Sequence, residues 1–171
     1  MTLLLLLACH FSGDPQQVPP SPPPLTFSAM DAGALSVAIQ SVLEADETLA
    51  ASPAAGPVGP SADCAVAAVF RGPRREIGLV LVCGDQLARA GALHPWAGDE
   101  VGSVFLADAD ADGHNEVIVL ASWMSGVGPE GAIPFQANAV MRWDGHALTH
   151  LTEAEARVGA LTNEGAVREA L

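Results

Sequence analysis

Apolar residues along this chain fall into short blocks with two different periods. Over 28–49 they recur at helical spacing. Leu35, Ile39, Val42 and Leu43 share one stripe, while Ser36, Gln40, Ser41 and Glu44 lie off it. Ser28 followed by Asp31 resembles a capping box, so a first helix is predicted across this stretch with its stripe facing a core. The run from Ala51 through Pro53, Gly56, Pro57 and Gly59 to Pro60 breaks the pattern and predicts a loose loop.

Strand-like blocks follow at 64–70 and 76–83, on either side of Gly72-Pro73-Arg74-Arg75. Pro73 suits the second position of a turn. A hairpin centred there pairs Phe70 with Ile77, Ala68 with Leu79, Val66 with Leu81 and Cys64 with Cys83. That face is wholly apolar. The opposite face, with Ala65, Ala67, Val69, Val80 and Val82, is apolar too. Such a hairpin needs cover on both sides, and the first helix can supply one. Further strands are predicted at 101–107, 116–123, 138–143 and 147–151, the last two joined through Asp144-Gly145, a strong hairpin signal. Thr152 with Glu155 forms a second capping-box pattern, and 163–171 has helical composition. The predicted class is α+β: an antiparallel sheet of about five or six strands, an N-terminal helix and short C-terminal helices.

Composition narrows the function. Half of the 171 residues are apolar and 16% are charged, enough for one packed domain. Seven basic residues, all Arg, face twenty acidic ones, for a net charge of -13. Nothing here neutralises a run of phosphates, so nucleic acid is excluded as a partner. Docking on an anionic lipid surface through a basic patch is excluded on the same ground. The balance suits cations.

One motif matches that balance. Asp108-Ala109-Asp110-Ala111-Asp112-Gly113-His114-Asn115-Glu116 places acidic oxygens at its first, third, fifth and ninth positions, with Gly at the sixth. Carboxylates so close repel one another without a cation. A hard cation such as Ca2+ takes about six to eight oxygens at ~2.3–2.6 Å, and Mg2+ suits the site less because it keeps several waters. The EF-hand fails as a comparison, since its twelfth position is Val119 here and a strand, not a helix, follows. The pattern D-x-D-x-D-G-x-x-[DE] between strands resembles the calcium loop of FG-GAP and VCBS-type repeats. That resemblance covers about 25 residues, in one copy. It implies Asp108, Asp110, Asp112 and Glu116 as side-chain ligands and the carbonyl of His114 as another. It does not carry over a propeller fold. The competing reading is a solvated acidic turn. Asp99 or Glu100 offers an outer ligand or belongs to a solvated loop.

The N-terminus supplies an address. Leu6-Leu7-Ala8-Cys9 resembles the lipobox of bacterial lipoproteins, in which the signal is cut before a Cys that then carries lipid. The resemblance implies a signal at 1–8, lipidation of Cys9 and, because His10 rather than Asp follows, an outer-membrane destination in the bacterial cell envelope. The apolar run is short and lacks a preceding basic residue. The proline-rich stretch up to residue 24 predicts a polyproline-like tether, leaving 25–171 as the globular domain. With Cys9 taken by lipid, Cys64 and Cys83 remain. The hairpin register sets them opposite each other, and an exported protein keeps such a disulfide.

Remaining signals are weaker. Gly126-Val127-Gly128-Pro129-Glu130-Gly131 matches G-x-G-x-x-G, but Pro129, Glu130 and Pro134 are incompatible with a phosphate-binding helix start. It reads instead as a glycine-rich surface loop. The flanking Trp123, Met124, Phe135 and Trp143 either line a binding groove or pack in the core. His146 and His150 stand about 13 Å apart on a strand, which discounts zinc. The functional expectation is an exported, lipid-anchored, non-catalytic calcium-binding module with an unidentified protein or glycan partner. The alternatives are a metal-dependent envelope hydrolase and a periplasmic partner or inhibitor protein that uses the aromatic-flanked loop as its contact.

Overall fold

The computed structural model describes residues 26–128 and 131–171. The expected signal, Cys9 and the whole of the tether lie outside the described residues. The class is α+β, with an N-terminal helix and short C-terminal helices, and the strands divide between two five-stranded antiparallel sheets.

The first sheet is built on the hairpin of β3 (Ser61–Arg71) and β4 (Glu76–Cys83), with β5 (Gln86–Ala90) beyond β4. Its register pairs Phe70 with Ile77, Ala68 with Leu79, Val66 with Leu81 and Cys64 with Cys83, as the apolar alternation predicts. Two short strands share the other edge of β3. These are β2 (Ala54–Val58) against its first half and β1 (Glu47–Leu49) against its end. The second sheet repeats the plan. Its hairpin is β6 (Ala97–Ala107) with β7 (Glu116–Gly128). Along the outer edge of β7 lie β9 (Ala139–Trp143) and β8 (Gly131–Gln136), and β10 (Leu148–His150) pairs β9 through the Asp144-Gly145 turn.

The two sheets pack face to face. Val66, Ala68, Leu79 and Leu81 meet Val104, Val117, Val119, Trp123 and Met141 in the main core. Helix α1 (Ala32–Gln40) covers the outer face of the first sheet, setting Leu35 and Ile39 against Ala65 and Ala67. Helices α2 (Thr152–Val158) and α3 (Glu164–Ala170) cover the second, where Ala154, Val158 and Val167 pack on Phe105, Ile118 and Val140. The doubly apolar hairpin therefore has a helix on one side and a sheet on the other.

Several predicted boundaries move. The first helix stops at Gln40, and its cap is Asp31, whose carboxylate accepts from the Ala34 N–H at 2.8 Å. Residues 47–49 are strand because Glu47 is held in place. Its carboxylate accepts from Arg71 Nε at 2.7 Å, Arg89 Nη1 at 3.1 Å and the Glu44 N–H at 2.8 Å. Burial alone would raise that carboxyl, but the Glu44 N–H and the two guanidiniums outweigh it and hold it below the usual range. The expected loop at 51–60 contains β2, whose Pro57 falls at a register shift where the ladder needs no donor. The glycine-rich surface loop expected at 126–131 is largely strand: residues 126–128 end β7 and Gly131 opens β8, with Pro134 tolerated on a strand that pairs with β7. Thr152 does not cap α2; Glu155 instead accepts from the Val140 N–H at 3.0 Å.

Candidate metal centre

The loop 108–116 joins β6 to β7, and the hairpin ladder ends on the pair Ala107 and Glu116. Glu116 is therefore placed by strand geometry, with 1% of its surface exposed. Its Oε2 accepts from the buried Ala109 N–H at 2.8 Å. Asp108 accepts from the N–H groups of Asp112 (3.1 Å) and Gly113 (2.9 Å), which closes the loop on itself. Asp112 Oδ1 in turn accepts from the His114 N–H at 2.9 Å. Ala111 (φ 63°) and Gly113 (φ 87°) turn the chain through the left-handed region.

This folding brings Asp108, Asp110 and Glu116 together. One oxygen of each lies within 4.8 Å of the others. Two oxygens bound to one ion at about 2.4 Å are at most ~4.8 Å apart, so the three can share a hard cation. The donor set is all oxygen, as Ca2+ or Mg2+ requires. Asp112 stands outside the trio and braces the loop. His114 is exposed and contributes its N–H to that bracing.

Charge at the loop is only partly compensated. Arg142 on β9 bonds Asp110 through Nη2, reaches Asp112 Oδ2 at 3.2 Å, and sets Nε 3.5 Å from Glu116 Oε1. Four carboxylates against one guanidinium leave a formal charge of about -3. Burial, and then the nearby Asp112 and Asp108, push the Glu116 carboxyl above its ordinary value despite the Ala109 N–H.

Groups far away in sequence hold the loop in place. Asn115 Nδ2 donates to the Pro57 carbonyl at 3.1 Å, and its own carbonyl accepts from the Gly59 N–H at 2.9 Å. Arg157 of α2 donates to the Ala109 carbonyl. Gly59 sits at φ 51°, and a Cβ there would collide with the Trp143 carbonyl. Sequence reasoning missed Arg142, Arg157 and Gly59. For Arg142 a signal existed: an Arg on the strand pairing with 117–119 lands beside Glu116.

The other candidates separate cleanly. Cys64 and Cys83 form a disulfide with a Cα–Cα distance of 4.2 Å. Trp123 is buried and donates its indole N–H to the Ala137 carbonyl at 2.8 Å, so it presents no binding surface. Phe135 is half-buried against His94, with ring centroids 5.4 Å apart. Gly126 and Gly131 take positive φ in the β7–β8 hairpin, and Gly128 pairs with Gly131. His150 pairs with Glu155 at 2.6 Å. Among the described residues no helix is long and apolar enough to cross a membrane.

Fold and site together define a helix-covered, double-sheet α+β structure with an oxygen-lined acidic loop that could hold a metal ion. Set against known proteins, the chain matches no family, no curated protein and no solved structure.

Proposed function

We propose that this chain is an exported, lipid-anchored, non-catalytic surface module in which Ca2+ pins the loop between β6 and β7. The carrying observation is the convergence of Asp108, Asp110 and Glu116 within 4.8 Å of one another, one of them buried. A divalent ion would relieve a repulsion that Arg142 alone leaves uncompensated. The carbonyl of His114 and outer waters complete the shell in this reading. The resemblance to FG-GAP and VCBS-type loops supports calcium over other ions. The disulfide supports an oxidising compartment, in line with the lipobox-like Leu6-Leu7-Ala8-Cys9 and an outer-membrane address. A cavity of about 230 Å3 beside Asp112, His114, Glu116 and Arg142 favours the second reading, a metal-dependent hydrolase.

The test is calcium titration of the full chain by calorimetry, with melts in calcium and in EGTA, and Asp110→Asn as the control. Among the described residues its side chain bonds Arg142 and no backbone group, so its loss should spare the fold. Saturable binding that raises Tm and is lost in the control is the expected result. No binding at about 10 mM calcium, above the ~0.1–1 mM range of extracellular modules, overturns the proposal. Mass spectrometry of the membrane fraction tests the anchor: a mature N-terminus other than lipidated Cys9 rejects it. Hydrolysis of a generic ester or phosphoester that depends on the metal would move the reading to the hydrolase.

A further inference from the structure

A second site lies at the far end of the β6–β7 hairpin, about 30 Å of strand away from the acidic loop. A cavity of about 570 Å3 opens there, between the β3–β4 turn, the segment leading into β6, and Met124 of β7. Its volume falls in the usual range of small-molecule sites.

Trp96 on its rim is 46% exposed, whereas Trp123 and Trp143 are 1% and 3% exposed. Arg74 and Arg75 line the same cleft. Arg71, Arg89, Arg142 and Arg168 each pair with a carboxylate, and Arg157 bonds a backbone carbonyl. Among the described residues, Arg74 and Arg75 have no carboxylate partner, and Arg74 makes no hydrogen bond. On a chain of net charge -13, two adjacent arginines without acidic partners need a reason.

The cleft is also preformed. Arg75 holds φ 52°, its carbonyl accepts from the Gly98 N–H at 2.9 Å, and its guanidinium lies 3.9 Å over the Phe70 ring. A Cβ on Gly98 would run into Ile77 and the Arg75 carbonyl, so the wall is in direct backbone contact. His94 packs on Trp123 with centroids 5.0 Å apart, and its Nδ1 accepts from the Trp96 N–H at 3.4 Å.

We propose that this cleft binds an anionic saccharide. A sugar ring offers an apolar face to the Trp96 indole and a carboxylate to the Arg74 guanidinium. Its hydroxyls donate to Glu76 and Asp99, the two carboxylates that also line the cleft. Arg75 already donates to the Asp99 carbonyl at 3.3 Å, and Asp99 accepts from Ser122 Oγ at 3.0 Å. An inorganic anion would therefore engage Arg74 alone, and an uncharged apolar molecule would leave Arg74 and Glu76 without partners. The site does not depend on the calcium reading, since it shares no residue with the acidic loop.

The probe is trigalacturonate, titrated into the full chain by calorimetry in EGTA. Maltotriose, triglutamate and inorganic phosphate serve as comparisons. Trigalacturonate is expected to saturate the site and to bind at least about tenfold tighter than each of the others. Arg74→Gln and Trp96→Ala should each weaken it about tenfold, and Trp96→Phe should retain most of the affinity. Both side chains are exposed, so unchanged melts will show that the variants fold. No saturation at about 10 mM, equal affinity for any of the three comparisons, or unchanged affinity in both weakening variants overturns the proposal.

Discussion

Arg142→Gln is the sharpest perturbation of the acidic loop. It keeps a polar side chain of similar reach and removes the one guanidinium that faces Asp110, Asp112 and Glu116. The two Asp partners are 28% and 41% exposed, so solvent screens those pairs to at most ~1 kcal/mol each. Glu116 is buried, and its 3.5 Å contact is long, which limits that contribution to about the same size. The loss should total about 2 kcal/mol, because the partners are left as unneutralised carboxylates. At ~2–4 °C per kcal/mol for a domain of this size, Tm in EGTA should fall by about 4–8 °C. Calcium then discriminates between readings. A metal that neutralises the same carboxylates should raise Tm more in the variant than in the parent chain, since it no longer competes with the guanidinium. An unchanged Tm in EGTA would refute the idea that Arg142 is the loop's counter-charge. A lowered Tm that calcium cannot restore would refute the idea that the loop's deficit is one a divalent ion can fill.

Other consequences follow from the packing and the ion pairs. Replacing Cys64 and Cys83 together by Ala opens a cross-link spanning 19 residues, so chain entropy predicts a loss of about 3 kcal/mol, read by urea denaturation. Gly59→Ala combines a left-handed φ with a collision at the Trp143 carbonyl, and should cost at least ~2 kcal/mol while loosening the Asn115 contact; a melt within a degree or so of the parent would show that the turn relaxes freely. Burial lowers the His94 pKa below its ordinary 6.5. The unfolded chain therefore takes up that proton first, so the contribution is complete above about pH 6.5 and is lost as pH falls from there through the folded value. His94→Phe should flatten this part of the stability profile, and an unchanged slope would assign it to other groups.

The sequence alone was enough to determine the local parts of this protein. The apolar alternation in 64–70 and 76–83 set a register that the tertiary structure keeps residue for residue, because a one-residue slip would exchange two differently packed faces. That register placed Cys64 opposite Cys83. The spacing of Asp108, Asp110, Asp112 and Glu116 announced an oxygen cluster, and the tight loop brings three of the four together, while Asp112 turns to bracing the loop. Tertiary structure decided what depends on distant partners. Residues 47–49 carry a helical pattern, yet become strand because Arg71 and Arg89 reach Glu47 from β3 and β5. β2 and β8 carry Pro and Gly and are strands only because the long β3 and β7 offer them an edge. The division into two sheets likewise follows from both faces of the hairpin needing cover, which a period cannot assign to a particular partner. Arg142 enters the acidic loop, and Trp96 comes to line one cleft with Arg74, only after strands distant in the chain have packed; charge and contact act through space, and a linear pattern records only neighbours along the backbone.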